Sequence, residues 1–169
     1  KSANVVEQNP SLDVSHPKYT QTAPRIFSKL EYRAIRDASK EDPRAYAMVE
    51  ILLQTGVRIG ELTNIRITDV KDTVLYIRGY GKNPGREVPL NPSVKKAVDE
   101  YLATRGAQLA PEDYLFVTRT AKGLLIRNVR QIIMRCFREV GIENATINDF
   151  RNTFIAHQLM NGFSVDYIA

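Results

Sequence analysis

The sequence predicts a mainly α-helical domain of the α+β class with one small antiparallel β-sheet. Apolar residues recur at helical spacing through most of the chain after residue 25. Two β-favouring runs, residues 74–78 and 86–90, flank a loop rich in glycine and proline, which is typical of a hairpin. With 169 residues, the chain can bury a hydrophobic core without disulfides or metals.

The first predicted helices follow a polar arm. Residues 1–25 contain prolines and lack apolar periodicity, so we expect a flexible linker or arm ahead of a domain that occupies residues 26–169. Residues 28–31, Ser-Lys-Leu-Glu, form a capping box and predict a helix start. Pro43 opens an almost continuously apolar stretch, which predicts a buried second helix that ends near Gly56.

Three longer helices are predicted after the hairpin. Pro92 is typical of a helix start, and Gly162 is typical of a position just beyond a helix end. Cys136 lies at helical spacing among apolar residues, which favours a place in the core. The predicted bounds are residues 92–104, 126–140 and 147–161.

Composition excludes several classes of protein and favours an anionic partner. The formal net charge is +5 and the pI about 9.4, values that suit binding to nucleic acid. A single cysteine excludes an intramolecular disulfide framework, and with only two histidines we expect no metal and no other cofactor. No apolar run approaches the roughly 20 residues of a membrane helix, so we expect no membrane partner.

Residues 55–62, Thr-Gly-Val-Arg-Ile-Gly-Glu-Leu, form the first candidate functional segment. They put Arg58 at the opening turn of a short helix, directly after the buried helix. Glu61 lies three residues further on the same helical face, where we expect it to hold the Arg58 guanidinium in one orientation. A surface capping pair is the alternative interpretation.

The hairpin loop is the second candidate. Residues 79–86, Gly-Tyr-Gly-Lys-Asn-Pro-Gly-Arg, contain one lysine, Lys82, in an exposed turn where it can reach a phosphate or donate a proton. A solvated edge-strand lysine that discourages aggregation is the alternative. Lys71, ahead of the first strand, is a weaker candidate for the same role.

The start of the last helix is the third candidate. Asn148 and Arg151 share one face, and Phe150 and Phe154 are expected to anchor the helix in the core and thereby fix Arg151. Alternatively, Thr146 or Asn148 is a plain N-cap, and Arg151 is a surface residue whose stem covers apolar groups.

Taken in order, the three segments resemble the catalytic domain of tyrosine recombinases, the phage integrase family. The family motifs are T-G-[LV]-R-x-[SG]-E-L, a hairpin lysine followed by R-x-V-P-L, and H-x-x-R-[HN]-T-F. The resemblance extends from about residue 24 to the last residue. It implies a cytoplasmic DNA-cleaving enzyme of prokaryotic or phage origin, which acts on double-stranded DNA as a homotetramer.

The resemblance also implies roles for individual residues. Arg58 and Arg151 would clamp the scissile phosphate, because a guanidinium donates paired hydrogen bonds that lysine does not imitate. Lys82 would protonate the leaving 5′ oxygen, although it lies one position nearer to the V-P-L strand than is usual in the family. Asn148 replaces the family's histidine, and its amide donates a hydrogen bond but does not accept a proton at neutral pH.

The nucleophilic tyrosine is expected outside this chain. In the family it follows an L-G-H segment, which the sequence does not contain, and Tyr167 falls at a position that is variable in the family. The first residue, Lys1, and an end within an apparent helix also indicate a piece of a longer protein. We therefore expect a monomer in solution that binds DNA but does not cleave it alone.

Three alternatives stay open on sequence grounds. A type IB topoisomerase shares the arginine pair, the lysine and the tyrosine. A DNA-binding relic of a recombinase would account for Asn148 as a sign of lost catalysis. A purely structural helical protein leaves the ordered set of Arg58, Lys82 and Arg151 unexplained. Candidate contacts to the DNA backbone are Lys18, Arg25, Arg127 and Arg130.

Overall fold

The computed structural model describes residues 23–81, 84–106 and 109–164. In them, six α-helices and a two-stranded antiparallel sheet form the domain, which confirms the predicted α+β class. The bounds are α1 Lys29–Ser39, α2 Pro43–Thr55, α3 Ile59–Asn64, β1 Val74–Ile77, β2 Arg86–Pro89, α4 Pro92–Thr104, α5 Ile126–Glu139 and α6 Asn148–Met160. The three longer helices predicted after the hairpin begin and end within one residue of the expected positions.

Helix α2 is the central element of the core. The Asp42 side chain caps it by accepting hydrogen bonds from two backbone N–H groups of its first turn, and Pro43 occupies the first helical position. Helices α1, α4, α5 and α6 all pack against α2, so nearly all of its side chains from Ala45 to Thr55 are buried. Gly56 ends α2 with a φ of +61°, a left-handed conformation that other residues rarely adopt.

Aromatic packing fixes helix α6 against the rest of the domain. Phe150 is fully buried, and its ring lies 5.3 Å from that of Phe27 and 5.5 Å from that of Phe137, measured between centroids. The backbone N–H of Phe27 also donates a 2.9 Å hydrogen bond to Oγ1 of the buried Thr153. The chain ahead of α1 and the start of α6 are therefore held together.

The hairpin pairs Val74 with Pro89 and Ile77 with Arg86. Along β1, the side chains of Leu75 and Ile77 are buried and that of Tyr76 is exposed, as expected for a strand with one face on the core. Gly81 follows with a φ of +62°. The candidate Lys82 lies outside the described residues.

The start of α1 and the position of Cys136 confirm two further sequence predictions. Ser28 and Glu31 form the expected capping box at the start of α1. Cys136 is buried in the core as expected, and burial raises the pKa of its thiol. No helix within residues 23–81, 84–106 and 109–164 has the length and apolar character to cross a membrane, and no cluster of three or more potential metal ligands occurs there.

Candidate functional site

All three candidate segments reach one open cavity of about 540 Å³, the hairpin loop through Tyr80. Arg58 comes from the start of α3, and Asn148 and Arg151 come from the first turn of α6. Residues that are distant in sequence thus converge on one surface of the domain. The other lining residues are Ile59, Gly60, Tyr80, Ile126 and Asn152.

Arg58 is the N-cap residue of α3, with φ −76° and ψ 150°. Its backbone N–H donates a 2.7 Å hydrogen bond to Oε2 of Glu61, which fixes the backbone from which the side chain extends. The guanidinium end remains accessible, because the Arg58 side chain is 41% exposed. A fixed backbone and an accessible charge suit the binding of an anion from solvent.

Glu61 is buried, and its main partner is Arg86. Nη1 and Nη2 of Arg86 donate to the two carboxylate oxygens at 2.8 and 3.1 Å. The contact expected from the sequence, between Arg58 Nη1 and Glu61 Oε1, is present but longer, at 3.4 Å. Glu61 does cap α3, yet its side chain is 0% exposed, so the interpretation as a surface pair was wrong. Burial raises the pKa of Glu61, but the hydrogen bonds from Arg86 and from the Arg58 backbone outweigh burial and leave it below its usual value.

Arg151 is half-buried and anchored. Its Nη1 donates a 2.6 Å hydrogen bond to the carbonyl oxygen of Gly56, at the break between α2 and α3. Burial, and then the positive charges of Arg58 and Arg86, lower the pKa of Arg151. The interpretation of Arg151 as a surface residue whose stem covers apolar groups is therefore wrong.

Asn148 is the first residue of α6 and is exposed to the cavity. The N-cap residue is Ile147, and the carboxylate of Asp149 accepts the 2.7 Å hydrogen bond from the backbone N–H of Thr146. The interpretation of Thr146 or Asn148 as a capping side chain is therefore wrong. Among the described residues, the Asn148 amide has no hydrogen-bond partner, so it is available to a ligand.

Tyr80 is a cavity residue that the sequence analysis did not single out. Its ring covers Gly60, and a Cβ atom at residue 60 would lie 2.5 Å from Tyr80 Cε1. The contact joins the end of the hairpin to α3, beside Arg58. The available signal was an aromatic residue between two glycines, Gly79 and Gly81, directly before Lys82. Lys71 precedes β1 and therefore lies at the opposite end of that strand from Tyr80.

The site carries an excess of positive charge. The guanidinium groups of Arg58, Arg86 and Arg151 surround the single carboxylate of Glu61, which leaves two positive charges uncompensated within this group. Cationic groups held in fixed positions bind an anion with little reorganisation. The arrangement can therefore bind a phosphate group and stabilise negative charge that develops on it.

Comparison with known proteins shows the family to which the chain belongs. The profile described as "Phage integrase family" matches residues 18–169. A tyrosine recombinase XerC from Staphylococcus epidermidis is 28% identical over 161 residues, which cover 91% of this chain and 54% of the relative. The crystal structure of XerA recombinase has a TM-score of 0.77 and 31% identity, covering 87% of this chain and 55% of that one. A lambda integrase tetramer bound to a Holliday junction has a TM-score of 0.70 and 18% identity, covering 91% and 48%.

The fold and the matched profile define a catalytic domain of the tyrosine recombinase class. The chain belongs to the phage integrase family. It spans about half the length of the curated relatives that it matches.

Proposed function

We propose that this chain is the catalytic domain of a site-specific DNA recombinase, which breaks and rejoins strands through a 3′-phosphotyrosyl intermediate. The observation that carries the proposal is the convergence of Arg58 and Arg151 on one open cavity with an excess of positive charge. The family and its named recombinases support the reaction class.

Arg58 and Arg151 form the proposed phosphate clamp. As a nucleophile attacks the phosphorus atom, negative charge grows on the non-bridging oxygens, and fixed guanidinium groups stabilise it. The Arg151 guanidinium is held by the Gly56 carbonyl, while Glu61 holds the Arg58 backbone and leaves its guanidinium accessible, so both side chains extend from fixed points before DNA binds. Such preorganisation lowers the barrier to reaction more than it favours ground-state binding.

Lys82 is the proposed general acid. A P–O bond to tyrosine forms and the P–O5′ bond breaks, and the departing 5′ oxygen takes a proton from the lysine ammonium. Rejoining is the reverse, with a 5′ hydroxyl attacking the phosphotyrosyl link. The proposal for Lys82 rests on the family resemblance and on its place in the chain directly after Tyr80 and Gly81, which belong to the described hairpin.

Asn148 is proposed to donate a hydrogen bond to a non-bridging oxygen. Its amide is exposed to the cavity and is not used as a helix cap. A neutral amide does not accept the proton of an attacking tyrosine, so another group has to take it. The nucleophile itself is proposed to lie outside the printed sequence, and Tyr167, outside the described residues, is not assigned this role.

Double-stranded DNA is the proposed partner. The proposed working assembly is a homotetramer on DNA, and this chain alone is proposed to be a monomer. The DNA-bound tetramer of lambda integrase supports the assembly. A cytoplasmic location is proposed from the family resemblance. Arg127 and Arg130, exposed on α5, are proposed backbone contacts, whereas Arg25 is engaged within the domain by Glu31 and by the carbonyl of Glu143.

A DNA-binding protein that does not cleave is the second candidate. Asn148 favours it, because the family's histidine is absent at the place where it would contact the phosphate. The phosphate clamp would then hold DNA without a chemical step.

Two measurements on the 169-residue chain test the proposal. The first is binding to a labelled duplex at several salt concentrations, where we expect affinity to fall steeply with salt and both Arg58→Met and Arg151→Met to weaken binding. Absence of duplex binding, or arginine variants without effect, would contradict the clamp. The second is incubation with a nicked suicide duplex, followed by denaturing electrophoresis. We expect no covalent complex, and a phosphotyrosyl link to Tyr167 would overturn the assignment of the nucleophile.

Covalent trapping on DNA tests the second candidate. We expect a longer chain that includes the proposed nucleophilic tyrosine to form a covalent complex on the same nicked duplex. Tight binding without such a complex would favour the DNA-binding protein that does not cleave.

A further inference from the structure

We propose that Arg86 is a positioning residue, which occupies the Glu61 carboxylate and so leaves the Arg58 guanidinium free to bind DNA phosphate. The inference rests on the proposed function and adds a residue to it. Arg86 acts through Glu61 and does not itself contact the phosphate.

The geometry at Glu61 shows that two arginines share one carboxylate unequally. Arg86 makes the short bidentate pair, at 2.8 and 3.1 Å, while Arg58 Nη1 stands 3.4 Å from Oε1. Oε2 is also occupied by the backbone N–H of Arg58, at 2.7 Å. Three of the about four acceptor positions of the carboxylate are thus filled at 3.1 Å or shorter, and the Arg58 guanidinium has only the longer contact with Oε1.

Because the Glu61 carboxylate is buried, the loss of one arginine partner should strengthen its contact with the other. The Glu61 side chain is 0% exposed, and a buried carboxylate without a cation is strongly unfavourable. If Arg86 were absent, Arg58 would be the nearest available cation, since it already lies three residues away on the same short helix and within contact distance. A guanidinium bound tightly to Glu61 is no longer available to an anion from solvent.

The location of Arg86 argues against a direct phosphate contact. Arg58, Asn148 and Arg151 line the open cavity of the site, whereas Arg86 lines a neighbouring groove together with Gln54 and Phe154. Only Arg151 lines both among the described residues. The Arg86 side chain is 27% exposed, less than the 41% of Arg58, and its donors are directed to Glu61.

The test measures the salt dependence of binding of the 169-residue chain to duplex DNA. The slope of log affinity against log salt falls in magnitude by about 0.9 for each phosphate contact that is lost. We expect Arg86→Met to reduce the slope by about that amount and to weaken binding about tenfold, because Glu61 captures Arg58. Adding Arg58→Met to Arg86→Met should cause little further loss.

The double variant Glu61→Gln with Arg86→Met separates positioning from contact. It removes one negative and one positive charge, so the net charge of the site is unchanged and no carboxylate remains to capture Arg58. We expect the slope and the affinity to return toward the wild-type values. If Arg86 contacts the phosphate directly, Arg86→Met reduces the slope and the double variant does not restore it, which would overturn the proposal.

A similar ion pair, between Arg78 of the same hairpin and Asp69, provides a control variant for folding. Arg78 also makes a bidentate pair with a buried carboxylate, that of Asp69, at 2.7 and 2.9 Å, and Asp69 likewise accepts from a backbone N–H, that of Arg66. Arg66 corresponds to Arg58 in this second pair, but it stacks on the Tyr114 ring and donates to a backbone carbonyl. It is not a proposed phosphate contact, so we expect Arg78→Met to leave the slope unchanged. A purely structural role of Arg86 would also leave the slope unchanged and lower only the folded fraction, which urea unfolding measures.

The failures of the two proposals are distinguishable. If Arg58→Met and Arg151→Met do not change binding, the proposed phosphate clamp is wrong. If they do change binding and the slope of Arg86→Met equals that of the wild type, the clamp stands and the positioning role is wrong.

Discussion

Arg151 donates a 2.6 Å hydrogen bond from Nη1 to the carbonyl oxygen of Gly56, and this contact joins the start of α6 to the break between α2 and α3. The carbonyl belongs to a glycine with a φ of +61°, at the point where the chain turns toward Arg58. One side of the Arg151 guanidinium is thereby fixed, while the residue still lines the cavity. The two arginines of the proposed clamp are thus positioned by a single backbone turn.

Replacing Arg151 with lysine tests the forked geometry of the clamp. Lysine keeps the positive charge but does not donate to Gly56 and to a phosphate in the same plane. We expect Arg151→Lys to weaken duplex binding about tenfold at about 0.1 M salt, as measured by fluorescence anisotropy. Arg33→Lys, on the exposed face of α1, should bind like the wild type. Wild-type affinity in Arg151→Lys would mean that only charge is required at this position.

Gly56 is expected to be sensitive to substitution for two separable reasons. Any other residue at this position would have to adopt a left-handed backbone conformation. Its Cβ atom would also lie 2.3 Å from Phe154 Cδ1. Gly141 has a similar φ of +67° but no atom within 4 Å of a Cβ, so Gly141→Ala incurs only the backbone cost of about 1–2 kcal/mol. We expect Gly56→Ala to lower the free energy of unfolding by about 1 kcal/mol or more beyond Gly141→Ala, as measured with urea. Equal losses would show that the Phe154 ring moves aside freely.

Much of the fold could be predicted because its signals are local. The capping box at Ser28, the prolines at Pro43 and Pro92 and the glycine at Gly56 each define an element boundary within a few residues of sequence. Helical spacing of apolar residues then identified the buried faces, including that of Phe150. These features require no knowledge of how the elements pack.

The partners within the site were harder to predict because they depend on packing. The spacing of Arg58 and Glu61 favoured a local pair, yet Arg86 on β2 makes the shorter contacts with Glu61. The bond of Arg151 to a backbone carbonyl and the packing of Tyr80 on Gly60 likewise join segments that are distant in sequence. Such pairs follow only once the hairpin and α6 are placed against α3.

Glu61 should contribute to stability in a pH-dependent manner. Its pKa in the folded protein lies below the usual value, so its contribution is present above the unfolded pKa and is lost as the pH falls through the folded pKa. We expect the unfolding free energy of the wild type to fall more steeply between about pH 5 and pH 3 than that of Glu61→Gln. Glu139→Gln, at an exposed position of α5, should follow the wild-type curve. Parallel curves for Glu61→Gln and wild type would show that the carboxylate is not stabilised by its partners.

The amide at residue 148 leads us to expect that DNA binding depends little on pH near neutrality. An amide does not titrate, so we expect the wild-type affinity to be constant between about pH 6 and pH 8, the range in which a histidine changes charge. In Asn148→His, the new side chain faces the same cavity as Arg58 and Arg151, whose positive charges lower its pKa below the ordinary value of about 6.5. Contact with DNA phosphate raises that pKa again in the complex, so the variant should gain affinity as the pH falls from about 7.5 to about 5.5 and the imidazole becomes a cation.

The control for this experiment is a histidine at a distant position of the same helix region. Asn161→His lies beyond the end of α6 and is exposed, so its affinity should change little with pH. If Asn148→His binds DNA equally at pH 5.5 and pH 7.5 (about one unit on either side of the ordinary histidine pKa), residue 148 does not contact the phosphate. A wild-type affinity that itself titrates in this range would assign the phosphate contact to one of the chain's own histidines. The only one of these in the described residues is His157, whose ring lies 6.0 Å from that of Tyr32, away from the residues that line the cavity.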